Sequence, residues 1–169
     1  MGPFKHKVDD GLEIRKSAFE CMLTLIETCL DRIDIYALLG VVIKGLSDPS
    51  PDIKMLCHLM LQRLAILSPT TVFQRLDDVI EPLRETLFNK LKTTAVKQEI
   101  EKNTGLIRSA ARTVLLVQKS LSNDLSSSAQ SVRFEQLIKE VKGDELSSVL
   151  VGILNEVEGN GTAVSMDIS

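Results

Sequence analysis

Three cysteines and two histidines are the side chains of this sequence best suited to redox, metal or nucleophilic chemistry. The cysteines, Cys21, Cys29 and Cys57, form no Cys-x-x-Cys pair and fall within apolar stretches. A structural zinc site needs closely spaced cysteines and histidines, and a disulfide framework needs cysteines that can pair. The pattern therefore predicts reduced thiols in a helical core, without a metal or another cofactor.

Neither histidine has the neighbours expected of a catalytic base. His58 recurs with Lys54 and Gln62 at four-residue spacing, which predicts a solvent-exposed polar stripe along a helix. The acidic pair Asp77 and Asp78 is interpreted in the same way, as a solvated helix face. The sequence contains no glycine-rich phosphate loop, Gly-x-Ser-x-Gly elbow or His-Glu-x-x-His motif. We therefore expect a binding protein and not an enzyme.

The composition favours a stack of helices. Leucine, isoleucine, valine and alanine dominate the 44% hydrophobic content, while tryptophan is absent and tyrosine occurs once. A net charge of −3 predicts no direct contact with nucleic acid, which would call for a basic surface. No apolar run approaches the roughly 18 residues needed to span a bilayer, and no signal peptide is apparent. These features predict a soluble intracellular protein that does not bind membranes.

A repeat is visible when three pairs of an apolar residue and a base are aligned: Ile14-Arg15, Ile53-Lys54 and Ile107-Arg108. Four residues after each apolar anchor comes a small residue, and eight residues after it a large one: Ala18, Cys57 and Ala111, then Met22, Leu61 and Leu115. The first two anchors are 39 residues apart, close to the length of a HEAT repeat, and the next two are 54 apart.

The distribution of polar residues supports this interpretation. The predicted helix from about Leu12 to Leu30 has a narrow polar stripe on an apolar background, so it must be covered on two sides. Residues 53–67 repeat this arrangement. Conventional amphipathic helices are predicted between them at 34–46 and 70–91, the second with a kink or break at Pro82.

The predicted fold is therefore all-α, a HEAT/armadillo-like α-solenoid of antiparallel helix pairs. Its parts are a lead-in at 1–10, helical repeats at 11–119, a serine-rich linker at 120–131, a terminal helix pair at 132–157 and a disordered tail at 158–169. The first repeat helix has no predicted partner before it, so we expect the chain to be a carboxy-terminal piece of a longer solenoid.

Several runs of residues also resemble a known family. Gly-Pro-Phe-Lys-His-Lys-Val-Asp-Asp-Gly-Leu-Glu-Ile-Arg-Lys occupies residues 2–16, and Ala-Phe-Glu-Cys-Met occupies 18–22. Further runs are Cys-Leu-Asp-Arg-Ile-Asp (29–34), Asp-Ile-Lys-Met-Leu (52–56), Gln-Arg-Leu-Asp (74–77), Glu-Pro-Leu-Arg (81–84), Val-Lys-Gln-Glu (96–99) and Arg-Ser-Ala (108–110). Together they resemble the carboxy-terminal region of the cullin-associated, neddylation-dissociated proteins, which are also described as TATA-binding-protein-interacting. The resemblance covers residues 2 to 115.

The resemblance implies a function. Members of this family are long HEAT-repeat proteins, cytoplasmic and nuclear, that wrap around an unmodified cullin and its RING partner. Their carboxy-terminal end contacts the amino-terminal helices of the cullin, where a β-hairpin occupies the adaptor site. By this competition they promote exchange of substrate receptors on cullin-RING ubiquitin ligases, including assembly of SCF complexes. The other family name implies TATA-binding protein as a further partner.

The implied contact residues belong to the lead-in. In the family the hairpin runs through Gly-Pro-Phe-Lys-His, so residues 4–8 would form its second strand, with Met1-Gly2 near the turn and the first strand missing. The alternation of Phe4, His6 and Val8 permits a strand. The expected cullin-binding residues are Phe4, Lys5, His6, Val8 and Asp10.

Other interpretations remain open at this point. The turns at Asp10-Gly11 and Asp48-Pro49 are weaker candidate contacts, because they also serve as helix caps. A HEAT stack also suits a transport receptor, a phosphatase scaffold or a transcription-factor-binding protein. A third alternative is that the segment only caps the solenoid, since terminal repeats need a polar outer side.

Overall fold

A computed structural model describes residues 9–91, 94–122 and 129–143, together with residues 146, 147 and 153. Its helices are α1 (Leu12–Thr28), α2 (Ile35–Gly45), α3 (Pro51–Leu67), α4 (Pro69–Gln74), α5 (Leu76–Leu87), α6 (Lys97–Ser120) and α7 (Ala129–Val141). A 3₁₀ turn, Leu30–Arg32, joins α1 to α2. No strand occurs in these described parts of the chain, and none of their helices has the length and hydropathy to cross a membrane. The all-α prediction is confirmed.

The helices form two layers. Helices α1, α3 and α6 pack side by side, with α3 in the middle, and α2, α5 and α7 lie behind them. The three helices of the first layer are those that carry the repeat anchors, so the sequence repeat corresponds to a structural repeat. This arrangement confirms the predicted stack of antiparallel helix pairs.

Burial of the anchors depends on the position of each helix in the layer. On α3, Ile53 and Cys57 are completely buried. The equivalent residues of α1 are exposed: Ile14 retains 75% of its accessible surface, and Ala18 is also open to solvent. Helix α1 has α3 on one side, and no described helix covers its opposite side. This side of α1 is therefore exposed among the residues that the structure describes.

The end of α2 sits where α1 and α3 meet, and this close approach requires a glycine. A Cβ atom added at Gly45 would lie 2.7 Å from Cζ of Phe19 on α1 and would also overlap Sγ of Cys57 on α3. Phe19 and Cys57 both belong to the buried core, so neither has space to move aside.

The predicted exposed stripe on α3 is instead a polar seam between α3 and α6. The His58 ring Nδ1 lies 3.1 Å from Oγ of Ser109, and Gln62 Nε2 donates to Oγ1 of Thr113 at 2.8 Å. One turn earlier, Lys54 Nζ donates to Oγ1 of Thr86 at 3.3 Å. The prediction of a solvated His58 is therefore wrong. His58 and Gln62 face α6 and Lys54 faces α5, and hydroxyl groups of these two helices supply the partners that buried polar atoms need.

Of the kink or break predicted at Pro82, the break is wrong, and the kink stays a prediction. The chain breaks at Arg75, between α4 and α5, and α5 continues through Pro82 to Leu87. An interior proline costs about 3 kcal/mol. Leu83 and Leu87 beyond it are buried, and each is worth about 1.5–3 kcal/mol, so burial offsets the loss.

The carboxy-terminal divisions are only partly described. Helix α7 corresponds to the first of the two predicted terminal helices, and it buries Phe134 and Leu137. Of the second predicted helix, Leu146 and Ile153 are described and buried. Most of the predicted lead-in, the centre of the linker and the predicted tail lie outside the described residues.

The buried His58 predicts a specific pH dependence. Burial, reinforced by the charge of Lys54, lowers the pKa of His58 to about 4, and its Nε2 has no hydrogen-bond partner among the described residues. The unfolded chain protonates this ring below about pH 6.5 and the folded chain does not. Stability should therefore fall between pH 6.5 and 4, by at most about 3 kcal/mol from this residue.

This dependence is measured by urea unfolding of the wild type and His58→Gln at half-unit pH steps. Every other titratable group is present in both proteins, so the difference between the two curves isolates His58. A constant difference across the window would contradict the assignment.

Two glycine substitutions should have opposite effects. Gly45→Ala should lower the free energy of unfolding by about 1–3 kcal/mol, because the added methyl group overlaps Phe19 and Cys57. Gly105→Ala in α6 should raise it by about 0.5–1 kcal/mol, since nothing lies within 4 Å and alanine is the better helix former. Chemical denaturation of both variants tests the packing at the end of α2. A stabilising Gly45→Ala would show that this packing is wrong.

Candidate functional site

The chain segments that precede α1, α3 and α6 lie along one edge of the first layer. We call this the turn edge and define it as residues 9–11, 47–50, 88–91 and 94–96. It contains both inter-repeat turns that the sequence offered as weaker contact candidates, Asp10-Gly11 and Asp48-Pro49. Because α1, α3 and α6 are neighbours in one layer, their starting segments are brought together although they are far apart in sequence.

Arg15 joins the first two of these segments. Its Nη1 and Nη2 donate to the two carboxylate oxygens of Asp9 at 3.0 and 2.7 Å, while its Nε donates to Oδ2 of Asp48 at 3.1 Å. Oδ1 of Asp48 accepts from the backbone N–H of Ser50 at 2.8 Å, which fixes the turn before α3. The hydrogen bonds that Arg15 donates to Asp9 and then to Asp48 raise the pKa of its guanidinium, so the charged form that holds both carboxylates is favoured.

The second and third segments enclose a groove of about 280 Å³. One wall comes from the turn before α3 and its first turn, and the other from the first part of the α5–α6 connection and the start of α6. The lining residues are Pro49, Pro51, Lys54, Asn89, Leu91, Glu99, Lys102, Asn103 and Leu106. The two lysines give the groove positive charge, while the prolines and leucines give it an apolar floor.

Local hydrogen bonds hold the far wall of the groove. Asn89 Nδ2 donates to Oδ1 of Asn103 at 3.3 Å, which ties the connection to α6. A carboxylate oxygen of Glu99 accepts from the backbone N–H of Val96 at 3.1 Å, and the Val96 carbonyl accepts from the Glu99 N–H at 2.9 Å. Such an exchange at a helix start satisfies backbone groups that otherwise lack partners. Both walls are therefore fixed by contacts of their own.

The predicted contact residues are placed only in part. Asp10 lies on the turn edge and is exposed. Phe4, Lys5, His6 and Val8 lie outside the described residues, so their assignment stays a prediction.

Sequence reasoning missed two features of this edge. Arg15 was recognised only as part of a repeat anchor, although a base beside an acidic lead-in is also the pattern of an ion pair. The groove carries no local signal, because Pro51 and Asn103 come together only when α3 packs against α6.

The residues first considered for chemistry have ordinary structural surroundings. The cysteines are free thiols, of which Cys57 is buried, Cys29 is half-buried and Cys21 is exposed, so the prediction of a core position is wrong for Cys21. Burial raises the pKa of Cys57 to about 12, and the nearby Asp48 adds to the shift, which makes this thiol a poor nucleophile. Within the described part of the chain, no three cysteine, histidine or acidic residues gather as metal ligands would.

The acidic pair lies on a helix face, as predicted. Asp78 pairs with Arg75 at 2.6 Å, and Asp77 lies 3.5 Å from Arg133 of α7.

The two-layered stack of helix pairs places the chain in the class of helical-repeat proteins. Comparison with known proteins gives the family. Residues 1–142 match the family model described as TATA-binding protein interacting (TIP20). The chain is 47% identical to Cullin-associated NEDD8-dissociated protein 1 of Drosophila melanogaster over the whole chain, and 43% identical to that of Dictyostelium discoideum over 92% of it. This chain is also 43% identical, over all of its own residues, to Cullin-associated NEDD8-dissociated protein 2 of Rattus norvegicus.

The chain belongs to this family of cullin-associated NEDD8-dissociated proteins. It spans 12–13% of the length of these relatives, and their names and the all-helical fold fit a scaffold. The matches run beyond residue 115, where the resemblance read from the sequence ended, so that limit was too short.

Arg15 should fix the geometry of the turn edge. Lysine in its place keeps the charge but cannot bind two carboxylates in a planar fork. Arg15→Lys should therefore speed amide hydrogen exchange at Ser50 and across residues 9–12. Arg63→Lys is the matched control, because Arg63 makes a single 3.4 Å ion pair with Glu27 away from this edge. Equal exchange at Ser50 in wild type and Arg15→Lys would contradict the bridging role.

Proposed function

We propose that this chain is the cullin-binding end of a factor that competes with the adaptor for an unmodified cullin and so promotes exchange of substrate receptors on cullin-RING ubiquitin ligases. The names of its relatives support association with cullins. The observation that carries the proposal is the Arg15 bridge, which holds the residue next to the segment Phe4–Val8 against the second inter-repeat turn. No cofactor is needed for this activity, which would take place in the cytoplasm and the nucleus.

The turn edge provides a physical basis for binding. A short contact segment loses conformational freedom when it binds, at about 1–2 kcal/mol per ordered residue. Holding Asp9 on the solenoid reduces that loss for the residues beside it, because one end of the segment is already positioned. The groove beside Asp48 adds a second contact area with two lysines and exposed Leu91.

Competition follows if the partner surface is shared. When two proteins bind one cullin site, each raises the apparent dissociation constant of the other by a factor that grows with its own concentration relative to its own dissociation constant. A scaffold that holds the cullin through other repeats and blocks the adaptor through this end would free one adaptor and admit another. The present chain would supply the blocking contact in this scheme.

TATA-binding protein is the second candidate partner, because the matching family model carries that description. It would be a second ligand of the scaffold and does not involve the adaptor site. Transport and phosphatase scaffolding gain no support from these comparisons.

The direct test is binding of the chain to an unmodified cullin, with and without excess adaptor. We expect binding that excess adaptor abolishes. The double variant Phe4→Ala/His6→Ala should bind at least tenfold more weakly, because aromatic and charged anchors dominate such contacts. Val132→Ala is the matched control, since Val132 is an exposed residue of α7, which is not part of the turn edge.

Binding that is unaffected by adaptor would keep cullin association and remove the blocking role. If a folded, monodisperse chain binds TATA-binding protein and no cullin, the second candidate is favoured.

A further inference from the structure

The first layer has an open face on the side away from α2, α5 and α7. Helix α3 has neighbours on both sides and behind it, so its mid-helix exposed residues point to this open face. Asp52, Met55, Leu59, Arg63 and Ile66 are spaced three or four residues apart along one ridge, and the exposed Pro51 and Leu67 lie at the two ends of the helix. A ridge of this length runs for about four helical turns, or roughly 20 Å.

The ridge of α3 is mostly apolar, although it faces solvent. Met55, Leu59 and Ile66 retain 44%, 38% and 57% of their accessible surface. The 39-residue repeat supplies an internal comparison, because it aligns Leu59 with Glu20 and Ile66 with Glu27 on the ridge of α1. Those α1 residues are exposed and charged, so the stack itself does not require an apolar ridge.

The ridges on either side carry opposite charge. On α1 three of the four charged open-face residues are acidic, namely Glu13, Glu20 and Glu27, while Lys16 lies opposite Met55, so this ridge has a net negative charge. Glu27 lies 3.4 Å from Arg63 on the α3 ridge, which places both on the same face. On α6 the open-face residues from Arg108 onward are basic, namely Arg108, Arg112 and Lys119. The open face therefore changes from acidic through apolar to basic across three neighbouring helices.

We propose that this open face binds an amphipathic helix whose two polar flanks have opposite charge. Its apolar stripe would lie along Met55, Leu59 and Ile66, its basic flank would face α1, and its acidic flank would face α6. Neighbouring helices pack about 8–10 Å apart, so the charged ridges lie roughly 18 Å from each other. A helix with side chains is about 10–12 Å across, and its long charged side chains can reach both ridges. This surface is distinct from the turn edge, and the inference does not rest on the proposed function.

The probe is a fluorescent 18-residue helical peptide with leucine along one stripe, lysine on one flank and glutamate on the other. Its matched control has the same composition with lysine and glutamate mixed on both flanks. Simply exchanging the flanks would not serve, because a helix turned end for end presents them the other way round. Fluorescence anisotropy should show the segregated peptide binding at least tenfold more tightly, with the difference reduced at high salt.

Protein variants locate the binding. Leu59→Glu and Ile66→Glu should each weaken binding of the segregated peptide at least tenfold, because each places a charge on the apolar ridge. Val41→Glu is the control, since Val41 is 42% exposed on α2 in the other layer. Circular dichroism and urea unfolding verify that each variant is folded, and two ridge variants guard against the failure of one.

Equal binding of the two peptides, or undiminished binding by both folded ridge variants, would overturn the proposal. It would also be overturned if the chain forms a dimer that Leu59→Glu dissolves, because the occupant would then be a second copy.

Discussion

Helix α3 lies between α1 and α6 with the second layer behind it, so three of its four sides must match the surfaces of other helices. The apolar sides are satisfied by complete burial, as at Ile53 and Leu61, and by the close approach of Gly45. The side facing α6 is polar, and there hydroxyl groups match His58 and Gln62 one by one. Polar pairs cost more than apolar contacts when misplaced, because an unpartnered buried group loses its hydration. The seam therefore fixes the register of α6 against α3 more sharply than apolar packing alone.

That register has consequences at both surfaces. Because α6 is held in one position along α3, Asn103 and Lys102 lie opposite Pro51 and Lys54, which creates the groove of the turn edge. The same register sets the basic ridge of α6 beside the apolar ridge of α3 on the open face. Arg15 fixes the junction between α1 and α3, because its hydrogen bonds link the start of α1 to the turn before α3.

The sequence predicted the parts of this structure that depend on periodicity. The anchors at Ile14, Ile53 and Ile107 identified the three helices of one layer, because a repeat that buries the same positions must also repeat their residue types. The errors occurred where a neighbouring helix decides the outcome. His58 looks like a solvated residue until α6 lies beside it, and Pro82 looks like a helix end until burial beyond it offsets the lost hydrogen bond. The groove is missed for the same reason, and the contacts assigned to Phe4, Lys5, His6 and Val8 remain predictions from resemblance.

The two surfaces meet at the start of α3. Pro51 lines the groove and Met55 begins the apolar ridge one turn later, about 6 Å along the helix. A partner that places a helix on the open face would therefore bring its adjoining residues to the turn edge. Two contacts so close together act with a high effective concentration, since binding at one leaves little freedom to be lost at the other. Weak contacts at each surface can then combine into firm binding, while a competitor that removes either one releases the partner from both.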